Sequence, residues 1–116
     1  MRHGLIEQFR RKVIALLDMH LEYNGKEVAI VRSYTMRRSE DDSYCLELDH
    51  VYLTADAIRD SVELERISGF DFVVPKNDRT IRYTKCSLLA LCNASHGHWE
   101  KLWIDTSNRT EEAVPA

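Results

Sequence analysis

Four side chains able to bind a transition metal crowd one stretch of the chain: Cys86, Cys92, His96 and His98. Their order, C-x5-C-x3-H-x-H, supplies the four nitrogen and sulfur donors that a tetrahedral zinc site needs. The spacing argues against such a site. Structural zinc sites open with a close cysteine pair, and on a helix Cys86 and Cys92 would point about 120° apart. Two small buried cysteines and a polar turn account for the same residues, because cysteine is among the most buried residue types. No metal is therefore expected. A cysteine nucleophile with His96 or His98 as base would need a depressed thiol pKa and an oxyanion cradle. No glycine-rich loop lies beside any cysteine. The chain also lacks a phosphate loop, a dinucleotide glycine fingerprint and an HExxH pair. It reads as a non-enzyme without a cofactor. His50 falls on an apolar strand face and reads as a hydrogen-bonded core histidine.

Charge offers two further kinds of chemistry. Arg79, Arg82 and Lys85, with Tyr83 among them, resemble a phosphate-contacting strand with a stacking aromatic. In a regular strand Arg82 faces away from Arg79 and Lys85, and the net charge of −3 is unlike the basic balance of most nucleic-acid domains. The opposite charge is more concentrated. Residues 39–65 hold nine acidic side chains against one basic one. Gathered on one face, these would steer a basic partner and speed its approach. Asp41, Asp42 and Glu47 lead that block. Three cysteines make no even disulfide framework. Glu7, Gln8 and Arg10 to Lys12 interrupt any leader-like apolar run, so the chain is expected in the cytoplasm. No apolar stretch reaches the ~18–20 residues of a membrane span.

The elements that would position these residues follow from periodicity. Residues 4–22 place Leu5, Ile6, Phe9, Val13, Ile14, Leu16, Leu17, His20 and Leu21 over about half of a helical wheel. That predicts an amphipathic helix, stopped at Asn24-Gly25. Its apolar arc is wider than one small sheet covers, which marks Ile14 and Leu21 as interface candidates. Residues 27–35 and 44–53 predict a hairpin, with Leu46, Leu48, His50 and Tyr52 on one face. Thr54 caps a predicted helix over 54–68 ending at Gly69, with Ala55, Ile58, Val62 and Glu65 on one side. The rival for that segment is a loop followed by a strand at 61–67. Residues 70–74 and 80–84 form a second predicted hairpin around a turn at 76–79. Residues 85–94 fit either a short helix or a buried strand. Residues 95–98 make a turn, and 99–104 a last strand. In that strand Trp99 and Trp103 share a face, and Leu102 and Ile104 share the other. Tryptophan is enriched in binding hot spots, so Trp99 and Trp103 are the leading interface candidates.

The composition, 44% hydrophobic and 30% charged, fits one globular domain. That domain is expected over 1–105, with a polar flexible tail at 106–116. The predicted fold class is α+β: the N-terminal helix packed on a mainly antiparallel sheet in a two-layer sandwich. The alternative is a small bent β-barrel with an N-terminal helix. The function expected is regulatory and non-catalytic. The chain would bind another protein with a basic surface and block its functional surface or its dimerisation, as an inhibitor, anti-activator or immunity-type protein. A second copy of the chain is a further candidate partner. The alternative function is a small nucleic-acid-binding regulator using the basic hairpin from Arg79 to Lys85.

Overall fold

A computed structural model describes residues 18–113. Seven antiparallel strands dominate it: β1 (Met19–Tyr23), β2 (Lys26–Arg38), β3 (Tyr44–Leu53), β4 (Phe70–Pro75), β5 (Arg79–Ser95), β6 (His98–Thr106) and β7 (Asn108–Ala113). One short helix, α1 (Ala55–Arg59), and a single 3-10 turn at Leu64–Arg66 fill the link from β3 to β4. The sheet runs β4-β1-β2-β3-β6-β5-β7. Strand β4 also pairs with β5, which closes a barrel of six strands. The β4-β1-β2-β3 part is a Greek key, whose long return is the link over residues 54–69.

This overturns the α+β sandwich. Residues 19–23, assigned by periodicity to the end of a helix, form β1, while residues 4–17 of that predicted helix lie outside the described residues. A short apolar run satisfies both periods, and the decisive signal was the turn. Asn24 and Gly25 both take positive φ (53° and 76°), the primed turn that joins two adjacent antiparallel strands, with Tyr23 opposite Lys26. His96 and Gly97 (φ 48° and 78°) repeat the device between β5 and β6.

The predicted 54–68 helix survives only as α1. Thr54 does cap it, accepting a hydrogen bond from the Ala57 N–H at 3.1 Å. Ser61 then turns to positive φ and ends the helical path. The buried residues of this link are Ala57 and Leu64, whereas Ile58, expected on one face with Ala55, Val62 and Glu65, is 55% exposed. The ambiguous 85–94 segment is strand. Beyond residue 106, where a tail was expected, β7 pairs with Arg79–Thr84 of β5.

The interior holds Leu21, Leu46, Leu48, Phe70, Phe72, Tyr83, Leu102 and Ile104. Aromatic rings form a chain through it. Tyr34 meets Phe72 edge-on at 5.2 Å, Phe72 stacks on Tyr83 at 5.9 Å, and Tyr83 meets Tyr44 at 5.7 Å. A six-stranded barrel this full of side chains is a packed core, not a channel.

The alternation of faces slips at one level on three adjacent strands and close by on a fourth. Inward positions jump from Val31 to Tyr34, from Leu48 to Val51, from Leu88 to Leu91 and from Trp99 to Leu102. On β2, β3 and β6 these residues lie opposite one another in the register, whereas on β5 Leu91 lies opposite Leu102 and Leu88 opposite Ile104, one step along. On β3 the slip falls at His50, which holds φ 52°, in the left-handed region, and on β5 at Leu89, an extra residue bulging out of the strand. Bulges bend strands and increase their twist, so this line of slips curls the sheet towards closure. It also re-aims side chains. His50 and Tyr52 leave the inner face predicted for them, while Val51 takes their place.

Candidate interaction surface

The outer face of β2, β3, β6 and β5 is a grid set by register. One row reads Thr35, Glu47, Trp103 and Ala90; the next reads Ser33, Asp49, Lys101 and Cys92. Trp103 sits near the middle, half-buried, and its indole N–H donates to Glu47 Oε1 at 3.1 Å. Lys101 Nζ lies 3.5 Å from Glu47 and 3.7 Å from Asp49. The two carboxylates hold the ammonium pKa above its ordinary value. Ser33 donates to Asp49 at 3.5 Å. Leu89, thrown outward by its bulge, is 55% exposed beside this grid. The result is an indole plane fixed by one hydrogen bond, an exposed leucine at its side, and a charged rim.

A second outward group lies past the slip. The His98 ring stacks on Tyr52 at 4.3 Å and faces His50 at 5.5 Å. His50 Nδ1 and His98 Nε2 are 3.2 Å apart, so one of the two donates and the other accepts. Tyr52 is 42% exposed. His50 is therefore a hydrogen-bonded histidine as expected, but its partner is on the outer surface rather than in the core.

The other candidates separate. Trp99 lies in the barrel core at 5% exposure, so the expected face shared with Trp103 does not exist. The slip between them inverts the alternation. Its indole N–H is buried without a hydrogen-bond partner among the described residues. Leu21 is fully buried opposite Phe72 and belongs to the core, not to an interface. Ile14 lies outside the described residues. Asp41 and Asp42 occupy the exposed β2–β3 turn. There the Ser43 hydroxyl and N–H donate to Asp41 and lower its pKa, and Arg38 reaches Asp42 at 2.8 Å.

The acidic block is thus dispersed. Strand β3 carries its first members to the turn and its last to α1, about 30 Å apart at ~3.3 Å per residue. Most find cations: Glu47 and Asp49 share Lys101, Asp56 and Asp60 share Arg59, and Glu63 meets Arg66 at 2.7 Å.

The basic hairpin is consumed as well. Arg82 bridges Glu22 and Asp71, the latter at 2.9 Å, and pins three strands together at the barrel seam. Burial opposes the charge on Arg82, but the two carboxylates outweigh it and raise its pKa. Tyr83 is in the core, with Arg109 over its ring. Arg79 lies 3.7 Å from Glu111. Lys85 is exposed, at φ 54° where β5 changes partners from β4 and β7 to β6.

Cys86 and Cys92 do not converge with His96 and His98. The Cys86 thiol is buried, donates to the Tyr83 carbonyl at 3.2 Å, and has its pKa pushed up to about 12, chiefly by burial. Cys92 belongs to the outer grid, and His96 sits in the exposed turn. Among the described residues no group of three or more histidines, cysteines and carboxylates is placed to hold a metal ion.

The outward residues Leu89, Tyr52 and His98 were missed from sequence. One signal was available: Leu88-Leu89 is an apolar pair inside a strand, and successive strand residues face opposite ways. No protein-family model, curated protein or solved structure matches this chain.

Proposed function

We propose that the chain is a non-catalytic regulator that binds another protein through the outer face around Trp103 and covers that partner's functional surface. The observation that carries this reading is the half-exposed Trp103, oriented by Glu47 and flanked by the exposed Leu89. An aromatic anchor held in one orientation loses little freedom on binding, and anchors of this kind dominate interface energies. Around it Glu47, Asp49 and Asp105 outnumber Lys101 on β3 and β6, which favours a partner with a basic rim around an apolar pocket. The acidic residues of the β2–β3 turn, Asp41 and Asp42, contribute at most to the approach, because Asp42 already pairs with Arg38.

The test is a photo-reactive amino acid placed at Leu89, with a control at Thr110 on β7. Cross-linking to one protein from Leu89 and not from Thr110, lost on Trp103→Ala, is the expected outcome. Equal labelling from both positions, or labelling indifferent to Trp103, refutes the reading. Exchange of Asp41 and Asp42 for lysine should leave the complex stable and alter only its association rate and salt dependence.

A further inference from the structure

Beside that face, one edge of β2 is unpaired over part of its length among the described residues. Strand β2 pairs with β1 only through Lys26–Val31, yet it continues to Arg38. From Arg32 to Arg38 one edge of β2 is bonded to β3, and the other has no partner strand among the described residues. Seven residues is the length of an ordinary strand. The edge starts where β1 ends. There a cleft of about 560 Å³ opens, lined by Asp18, Ile30, Tyr34, Tyr52, Pro75 and Lys76, among others. The site therefore offers a row of backbone donors and acceptors together with room for a chain to enter.

Its charge is one-sided. Arg32 and Arg37 are exposed, and no acidic group among the described residues lies within ion-pair distance of either. Arg38 is shared with Asp42, and Lys76 stands on the far wall of the cleft. Asp18 is the one acidic residue among the cleft-lining residues.

We infer that the Arg32–Arg38 edge of β2 takes up an extended acidic segment of another protein as an added antiparallel strand. Main-chain hydrogen bonds would supply the affinity in this mode of recognition, and side chains facing Arg32, Arg37 and Arg38 would supply the specificity. Charge selects against a second copy. Two such edges paired over their full length bring Arg32 opposite Arg37 or Arg38, and like charges directly opposite are destabilising. The edge of β7 in another copy is a poorer fit, because Glu111 is already held by Arg79 and Arg109. The edge adjoins the Trp103 face, because Ser33, Thr35 and Arg37 belong to the same outer grid; Trp103→Ala tells the two interactions apart, since it should leave peptide binding unchanged.

The test is a titration of the full chain, isotopically labelled for NMR, with the blocked peptide Glu-Val-Glu-Val-Glu-Val-Glu to millimolar concentration. The expected result is saturable shifts confined to the amides of Arg32–Arg38 and the cleft, weakening as salt rises. The Lys-Val counterpart should bind at least tenfold more weakly, and N-methylation of alternate residues in the register that faces β2 should abolish binding. The Arg32→Glu/Arg37→Glu variant, checked for folding by circular dichroism, should reverse the peptide preference. Indifference to peptide charge, shifts located elsewhere or no shifts at all overturn the inference. So does slow exchange, without peptide, of those amides of Arg32–Arg38 that point away from β3, since the edge is then already paired. Sedimentation shows whether a second copy or residues 1–17 of the same chain does so.

Discussion

Replacing Arg82 by methionine should loosen the seam that closes the barrel. The Arg82 guanidinium lies against Glu22 on β1 and Asp71 on β4 while belonging itself to β5. The side chains are 29%, 23% and 27% exposed, between the surface and buried regimes. Exposed pairs contribute ~0.2–1 kcal/mol, and breaking a buried pair costs ~3–5 kcal/mol. Loss of Arg82 leaves Glu22 and Asp71, a registered cross-strand pair, facing each other without a cation. A cost of about 2 kcal/mol at pH 7 follows from that intermediate position. In a domain of this size it lowers Tm by about 10 °C.

The pH dependence is specific. Burial by itself would raise the Glu22 pKa, but the hydrogen bonds and charges of Arg82, with His20 beside it, bring it below the ordinary 4.5. A depressed carboxylate stabilises the fold above its unfolded pKa, and that contribution is lost as pH falls through the folded value. The gap between wild type and Arg82→Met should therefore be full at pH 7 and shrink as pH falls through the depressed Glu22 value. Urea unfolding at pH 7, 5 and 3 reads it directly. A gap that stays constant with pH would assign the effect to packing of the arginine stem and refute the electrostatic account.

Leu102→Ala should cost about 3 kcal/mol, within the ~2–5 kcal/mol range for a buried leucine, because Leu102 is fully buried in the barrel; denaturant unfolding checks it. Lys85→Gly should stabilise by about 0.5–1 kcal/mol, since Lys85 holds φ 54° on the surface; a rise in Tm checks it. An aromatic disulfide reagent at pH 8 should react quickly with Cys45 and Cys92 and with Cys86 only on unfolding, because burial holds the Cys86 thiol protonated; the time course of thiol release checks it.

Much of the sheet was legible. The β2–β3 and β4–β5 hairpins, the turn at 95–98 and the strand at 99–104 follow from β-branched runs and turn residues. The first element is ambiguous in sequence because the run ending at Leu21 carries both a helical and an alternating period, and Asn24-Gly25 suits a helix stop as well as a hairpin turn. The Trp99 and Trp103 faces could not be read from parity. The slip that separates them runs across three paired strands, β2, β3 and β6, and no single strand records it. The charge blocks misled for a related reason. Contiguous acidic residues are carried to opposite ends of β3 and meet cations from β6, the end of β2 and α1. The outer grid around Trp103 combines β2, β3, β5 and β6, so it emerges only with the register.

The most direct measurement of the central claim is the affinity of the cross-linked partner for wild type, Trp103→Ala and a matched Thr110→Ala control. An aromatic hot spot removed costs at least ~2 kcal/mol, about thirtyfold in Kd. Loss of at least that size for Trp103→Ala, with Thr110→Ala unchanged and both variants folded, is the expected result. An affinity indifferent to Trp103 would contradict the account.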